Sequence, residues 1–334
     1  MQVALKNSEH SKKINIKIYK IMKKVKVKRD FDLHQMVTDK IIAKLEEGVV
    51  PWRKPWQNGQ GYLPFNYVSK QAYSGLNSFL LSMEGYKSPE WLTFKQLQNL
   101  EGSILKGSKA SQVIYWSFLY FEKLPNGDKG RKLTEGKPFT RAELDSMVRR
   151  NKAIKIGFEK YYNVFNIEQT TLADKSIIHT QPKPQPSKVE RIEACEKVIE
   201  AMPKRPKLRL DIDADGAYYT PSLDQVTMPN IEQFDHKEEY YSTFFHELAH
   251  STGHESRLDR DLEGAKGSEK YAEEELIAEM TASFLSAEVG TLEVTLDNSA
   301  SYLQSWLKVF KGNKKMIFIA SREAKKAFEY ITNK

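Results

Sequence analysis

The chain has 334 residues, a length that suits two domains, and 40% of the residues are hydrophobic, as in ordinary globular proteins. Its single cysteine, Cys195, excludes an intramolecular disulfide, and no apolar stretch is long enough to cross a lipid bilayer. The formal net charge of +8 is uneven: residues 1–180 carry 31 Lys and Arg against 17 Asp and Glu, whereas residues 181–334 carry 21 against 27.

This charge asymmetry predicts different partners for the two halves of the chain. The basic half is a candidate binder of polyanions, although a solvated lysine-rich surface would give the same composition. The cysteine usage suits a reducing compartment, and we predict a cytoplasmic protein without membrane partners.

Residues 1–30 are predicted to form a basic N-terminal arm. Lysines alternate there with isoleucine, valine and tyrosine, and no uninterrupted apolar segment marks a signal peptide. A disordered arm that touches nucleic acid and a translated leader upstream of the true start both fit this composition.

Residues 31–180 are predicted to form a mixed α/β domain. Apolar spacing indicates a helix over 31–47, and two prolines make 51–56 non-helical. Strand and loop signals follow to residue 86, a helix is predicted over 88–100, and strands are predicted over 112–122 and 157–169. The polar segment between these strands, up to residue 151, gives no clear pattern.

Alternating prolines in residues 181–186 predict an extended linker, and residues 187–334 are predicted to form a second domain. A capping-box pattern opens a helix that reaches residue 202, and short strands are predicted over 217–220 and 225–228. Two helices carry the motifs described next, and further helices over 301–310 and 317–332 follow. The predicted class is therefore α+β.

The run His246-Glu247-Leu248-Ala249-His250 is an H-E-x-x-H motif inside a predicted helix that carries an apolar stripe. Residues four apart share a helix face, so both imidazoles can bind one zinc ion, and Glu247 can serve as general base toward a water on that ion. A surface helix with two unrelated histidines is the alternative.

A zinc site of this kind needs a third protein ligand. The extension x-x-G-x-x-H fails here, because Ser256 occupies the position of the third histidine and His254 is out of register by two. Glu275 and Glu279 lie four apart on the next predicted helix, and their pattern resembles the gluzincin arrangement. We predict Glu275 as third ligand and Glu279 as the carboxylate that orients a ligand histidine, while the reverse assignment stays open.

Four of the five tryptophans lie before the linker, near many lysines and tyrosines. Single-stranded nucleic acid binds to cationic grooves lined by aromatic rings, although most of these rings would equally suit the core. The candidate contacts to single-stranded DNA are Trp52, Arg53, Lys54, Trp56, Lys70, Tyr73, Lys106 and Lys109.

From about residue 33 to the acidic helix, the chain resembles the ArdC-like anti-restriction proteins of plasmids and other mobile elements. The similar stretches are 47–56, 73–77, 91–96, 164–170, 218–221, 226–229, 245–254, 257–258 and 274–279. Related N-terminal domains also occur beside primases of conjugative plasmids.

The resemblance implies an N-terminal domain that binds single-stranded DNA and a C-terminal zincin-like metallopeptidase domain. Its implied role is to protect incoming single-stranded DNA from restriction during conjugation. Two other interpretations stay open: a DNA-coating protein with a structural or vestigial metal site, and a replication accessory protein of a mobile element. The sequence indicates neither a particular protein substrate nor an oligomeric state.

Overall fold

The computed structural model describes residues 32–50, 63–133, 138–177, 188–212, 214–265, 267–291 and 300–334. Helices and both parallel and antiparallel strands are present, which confirms the predicted α+β class. Within these ranges, no helix combines the length and apolarity that a membrane crossing requires.

Within the described residues, the first part of the chain forms a five-stranded mixed sheet with four helices. The strands, in chain order, are β1 (Phe65–Asn66), β2 (Glu90–Thr93), β3 (Ser111–Lys123), β4 (Lys129–Leu133) and β5 (Ala153–Asn166). The helices are α1 (Leu33–Glu46), α2 (Leu76–Ser82), α3 (Phe94–Asn99) and α4 (Arg141–Arg149). The sheet order is β1-β2-β5-β3-β4, and the long antiparallel pair of β3 and β5 dominates it.

Two predicted elements of this part were wrong. The helix predicted over 88–100 is the strand β2 followed by the short helix α3, because Trp91 and Leu92 are buried in the sheet beside β5. Thr93 caps α3 in a reciprocal capping box with Gln96, which fixes where the helix begins. Strands and loops were predicted up to residue 86, but Leu76–Ser82 form the helix α2, whose Phe79 is fully buried.

Where the structure describes it, the second part contains a three-stranded sheet of order β6-β8-β7 and five helices. The strands are β6 (Lys207–Ile212), β7 (Tyr218–Thr220) and β8 (Gln225–Pro229), and β8 pairs parallel to β6 and antiparallel to β7. The helices are α5 (Lys188–Ala201), α6 (Lys237–Ser251), α7 (Glu269–Val289), α8 (Ala300–Gly312) and α9 (Met316–Thr332).

The two parts share one hydrophobic core. Helix α1 packs against α8, and apolar side chains of α1, α2 and β3 meet those of α7, α8 and α9. The most buried members of this shared core are Val37, Ile41, Phe79, Leu276, Met280, Trp306, Phe310 and Ile317. A second cluster lies between α5, the small sheet, α6 and α7. The domain boundaries predicted around residues 181–186 stay a prediction. One hydrophobic core contains residues from both sides of that linker.

Candidate metal centre

Helix α6 carries the H-E-x-x-H motif because one face of its sequence is apolar. Tyr240, Phe244, Phe245 and Leu248 are buried against the small sheet and neighbouring helices, and this packing fixes the rotation of the helix. Gly253 follows the last turn, where a Cβ atom would stand 2.6 Å from Leu262 Cδ2. A side chain at this position would therefore displace the side chain of Leu262.

Helix α7 crosses α6 and brings acidic side chains to the two histidines. Ser268 caps its N-terminus by accepting a hydrogen bond from the amide of Tyr271, and Gly290 ends it with φ 78°. The buried residues Leu276, Met280 and Phe284 turn one face of α7 into the shared core. The opposite face points the carboxylates toward α6.

Three donor groups converge between these helices. His246 Nε2 and His250 Nε2 lie 3.0 Å apart. Glu275 Oε2 lies 3.5 Å from His246 Nε2, and its Oε1 lies 3.7 Å from His250 Nε2. Four-coordinate zinc with donors at about 2.1 Å holds those donors about 3.4 Å from one another, so the observed spacing fits a tetrahedral divalent ion. His246, His250 and Glu275 also form the candidate metal-binding group found among the described residues.

Each histidine has a carboxylate on its far nitrogen. His250 Nδ1 lies 3.1 Å from Glu274 Oε1, and His246 Nδ1 lies 3.8 Å from Glu279 Oε1. A carboxylate only accepts hydrogen bonds, so it favours the tautomer in which Nδ1 carries the proton and Nε2 is free to bind metal. Glu279 thus lies at the far nitrogen of His246, and Glu275 lies beside both Nε2 atoms; the assignment of Glu275 as ligand and Glu279 as orienting carboxylate stays a prediction.

Sequence reasoning missed Glu274 and the arginine that holds it. Arg260 Nε lies 2.9 Å from Glu274 Oε2, and Arg260 Nη2 lies 2.7 Å from Oε1. The same guanidinium donates to Thr252 Oγ1 and to the carbonyl of Ala249 at the end of α6. The signal available in the sequence was an arginine ten residues after His250 and a carboxylate adjacent to Glu275.

Carboxylates surround the two histidines and make the site favourable for a cation. Burial alone would lower the pKa of His246, but the hydrogen bond to Glu275 and the charges of Glu279 and Glu247 raise it to about 9. Burial would raise the pKa of Glu275, yet its hydrogen bond to His246 and the nearby charge of His250 lower it to about 2. An ionised carboxylate and a cluster of negative charge around the imidazoles therefore favour positive charge at this point.

Glu247 is buried and lines an open cleft of about 370 Å³ together with both histidines and Glu275. Tyr218 and Tyr219 of the edge strand β7 form part of the same wall. Tyr271 also lines the cleft and hydrogen bonds to Glu275, which it helps to hold in place. A catalytic metal site keeps a position open for water or substrate, and this cleft supplies that access.

A buried arginine fastens the small sheet to the end of the metal-binding helix. Arg257 donates from Nη1 to Asp224 Oδ2 at 3.0 Å and pairs through Nη2 with the other carboxylate oxygen. It also donates from Nε to the carbonyl of Ser251, the last residue of α6, and from Nη2 to the hydroxyl of Tyr219. The turn between β7 and β8 is thereby held beside the histidines.

The structure describes four of the eight predicted DNA contacts. Trp52, Arg53, Lys54 and Trp56 lie outside the described residues. Tyr73 is half-buried and packs beside Trp91. Lys70 is exposed, stands 4.4 Å above the ring of Tyr67 and lies 3.5 Å from Glu90. Lys106 and Lys109 are exposed in the loop before β3.

Two family models match the chain. Residues 31–165 match the N-terminal domain of anti-restriction factor ArdC, and residues 197–323 match a zincin-like metallopeptidase. The crystal structure of the antirestriction protein ArdC from plasmid R388, in its metal-free form, is 33% identical with a TM-score of 0.67, covering 91% of this chain and 97% of that one. Its Mn(II)-bound form is 32% identical with a TM-score of 0.66, covering 91% and 98%.

Sequence relatives extend the comparison. A DNA primase TraC of Escherichia coli is 34% identical over 89% of this chain, and a second is 32% identical over 91%, but the chain spans only 20% and 27% of those proteins. The uncharacterized protein y4eC of Sinorhizobium fredii is 30% identical over 90% of this chain and 91% of its own length. These matches, together with the order of the two domains and the geometry of the site, confirm the resemblance seen in the sequence, and the chain belongs to the ArdC-like antirestriction family.

Proposed function

We propose that this protein binds single-stranded DNA and carries a metal-dependent peptidase site, and that it protects incoming DNA from restriction during conjugation. Support for DNA binding comes from the ArdC N-terminal domain and from the basic character of residues 1–180. Support for hydrolysis comes from the zincin-like domain.

The observation that carries the enzymatic half is the convergence of His246, His250 and Glu275 at the rim of an open cleft with Glu247 beside them. A metal with a purely structural role is enclosed by protein ligands and needs neither a cleft nor an additional carboxylate. This arrangement therefore favours a competent site over a vestigial one.

The residues of the candidate site would have different roles in peptide hydrolysis. A divalent ion held there would supply Lewis acidity toward a carbonyl oxygen and lower the pKa of water toward neutrality. Glu247 lies next to His246 in the chain and faces the cleft, where it would accept a proton from the attacking water and deliver it to the leaving amine. Glu274 and Glu279 keep the two imidazoles oriented.

Zinc is the metal that the sequence predicts, and the donor set of two imidazoles and one carboxylate suits it. A related ArdC structure contains Mn(II), and the same donors also accept that ion. We propose a divalent ion at this site, with zinc as the expected occupant.

The enzymatic proposal is tested by Glu247→Gln, with Glu255→Gln as the matched control because Glu255 is exposed and eight residues further along. Both variants and the wild type are compared for metal content, for cleavage of a mixed peptide library read by mass spectrometry, and for protection of DNA transferred into a restricting host. Removing a general base lowers rates by about 10²–10⁴-fold, so Glu247→Gln is expected to lose cleavage and protection while keeping its metal. Protection equal to wild type in Glu247→Gln would instead support the non-enzymatic DNA-coating function.

A further inference from the structure

The long antiparallel pair of β3 and β5 presents two different faces. The register pairs Tyr115 with Lys160, Ser117 with Phe158 and Leu119 with Ile156, so these side chains share one face. We call this surface the aromatic face. Its members are Tyr115, Leu119, Phe121, Ile154, Ile156, Phe158, Lys160 and Tyr162, together with Lys129 and Lys132 of β4.

The opposite face of the pair is covered by helices. His34 Nε2 of α1 lies 2.9 Å from a carboxylate oxygen of Glu159, and Leu144 of α4 packs on Tyr120, which is 2% exposed. On the aromatic face, by contrast, Tyr115 is 58% exposed and Tyr162 is 46% exposed. Their rings meet edge to face with centroids 6.1 Å apart. Large aromatic side chains exposed together on a sheet mark an interaction surface.

Positive charge surrounds these rings. Lys160 lies 5.1 Å above the ring of Phe158, and Lys129 lies 5.8 Å above the ring of Phe121. Among the described residues of β3, β4 and β5, the two carboxylates are Glu122 and Glu159, and both lie on the opposite face. Each has a nitrogen partner there, Arg131 for Glu122 and His34 for Glu159. The aromatic face is therefore cationic and apolar, without a carboxylate.

This combination is suited to one kind of partner. Exposed rings give bases a surface on which to stack, and lysines beside them neutralise phosphates. From Tyr115 to Phe121 the face extends about 20 Å along the strand, enough for several nucleotides. Paired bases in a duplex are stacked on one another and cannot lie flat on such rings, which favours a single strand.

We propose that the aromatic face is the surface that binds single-stranded DNA, with bases stacked on Tyr115, Phe158 and Tyr162 and phosphates held by Lys160 and Lys132. This assignment rests on the proposed DNA-binding function and specifies the surface that would bind the DNA. It differs from the contacts predicted from the sequence, because the four of them that the structure describes, Lys70, Tyr73, Lys106 and Lys109, lie outside β3, β4 and β5.

The test uses the full chain and a fluorescent oligo(dT) of about 20 nucleotides, which is longer than the roughly 4–16 nucleotides that such a surface covers, and a duplex of equal length serves as the comparison. Tyr115→Ala with Tyr162→Ala is compared with Tyr161→Ala, because Tyr161 is 43% exposed on the same strand but faces the other side. Each lost stacking ring is expected to weaken binding about tenfold, whereas Tyr161→Ala should change the Kd less than about twofold. Circular dichroism and metal content verify that each variant is folded.

A second variant, Lys160→Gln, keeps the aromatic rings and removes one charge. Its binding to single strands should depend less steeply on salt, with the slope of log K against log salt reduced by about 0.7. If the wild type binds oligo(dT) and both the tyrosine and the lysine variants bind equally well, the aromatic face is not the site, while the DNA-binding function stands. If the wild type fails to prefer single strands, the proposed function itself is wrong, and the assignment falls with it.

Discussion

Glu274 lies closer to a candidate ligand histidine than Glu279 does, at 3.1 Å from His250 against 3.8 Å from His246. Glu274 is itself held by Arg260, whose side chain is 8% exposed. Glu274→Gln removes the negative charge behind the imidazole and leaves a buried guanidinium without its ion pair. Losses of this kind cost about 10–100-fold in metal affinity. Calorimetric titration with Zn(II) and with Mn(II) should therefore show a weaker Kd for Glu274→Gln.

Glu273→Gln is the matched control for that measurement, because Glu273 is the adjacent residue and has no part in orienting either histidine. Burial, followed by the charges of Glu274 and Glu323, raises the pKa of Glu273, so neutralising it relieves repulsion. Its metal affinity should stay within about twofold of the wild type. Equal losses in both variants would mean that total charge, and not the contact to His250, sets the affinity.

Some of the residues of the candidate metal site could be predicted from the sequence. The spacing of His246 and His250 and the pattern of Glu275 and Glu279 were sufficient to bring four side chains into one hypothesis. Glu274 could not be found in that way, because neighbouring helical residues point about 100° apart. Which of them meets His250 depends on how α7 crosses α6, and no local pattern encodes that angle.

Among the elements, the turn between β7 and β8 is fastened to α6 by the pair of Asp224 and Arg257. Asp224→Asn leaves Arg257, whose side chain is 1% exposed, with a neutral partner. Breaking a fully buried pair costs about 3–5 kcal/mol; since the Asp224 side chain is 29% exposed, we expect about 2 kcal/mol less stability. Urea unfolding near neutral pH measures the difference.

The same pair predicts a pH dependence. Burial raises the pKa of Asp224, but hydrogen bonds from Arg257 and Tyr219 outweigh it and hold the pKa below its ordinary value. The stabilisation is therefore complete above about pH 4, the unfolded pKa, and is lost as the pH falls through the folded value. The stability difference between wild type and Asp224→Asn should shrink below pH 4, and a difference that persists to pH 2 would contradict this origin.

Secondary structure was predictable where one periodicity dominated a segment. The helices α1, α5, α6 and α7 have apolar stripes at helical spacing, and the long strands are rich in β-branched and aromatic residues. Residues 90–93 were wrongly predicted as helix. Trp91 and Leu92 are buried on the two faces of a sheet that they form with strands distant in the sequence. Such burial leaves no alternation in the sequence.

For the molecule as a whole, the shared core predicts that both parts unfold together. Phe79 of α2 is fully buried and stacks on Phe284 of α7 with ring centroids 4.8 Å apart. Phe79→Ala should cost about 3–5 kcal/mol. Phe94→Ala, at a position that is 50% exposed, should stay within about 0.5 kcal/mol of the wild type.

Hydrogen–deuterium exchange locates the effect of Phe79→Ala. Peptides from residues 65–166 and from α7 should lose protection to the same extent, because the same apolar cluster stabilises both regions. Loss confined to residues 65–166 would show that the two parts unfold independently. Independent unfolding is the behaviour that a linker between two separate domains would give, and the packing of α1 and α2 against α7, α8 and α9 argues against it.

The position of α1 also has a consequence for synthesis. Its Thr38 hydroxyl donates to the carbonyl of Lys314, 276 residues away. During translation this helix leaves the ribosome before α8 and α9, which complete the surface that receives it. The apolar side chains of α1 therefore stay exposed, or bound by a chaperone, until those two helices have been synthesised.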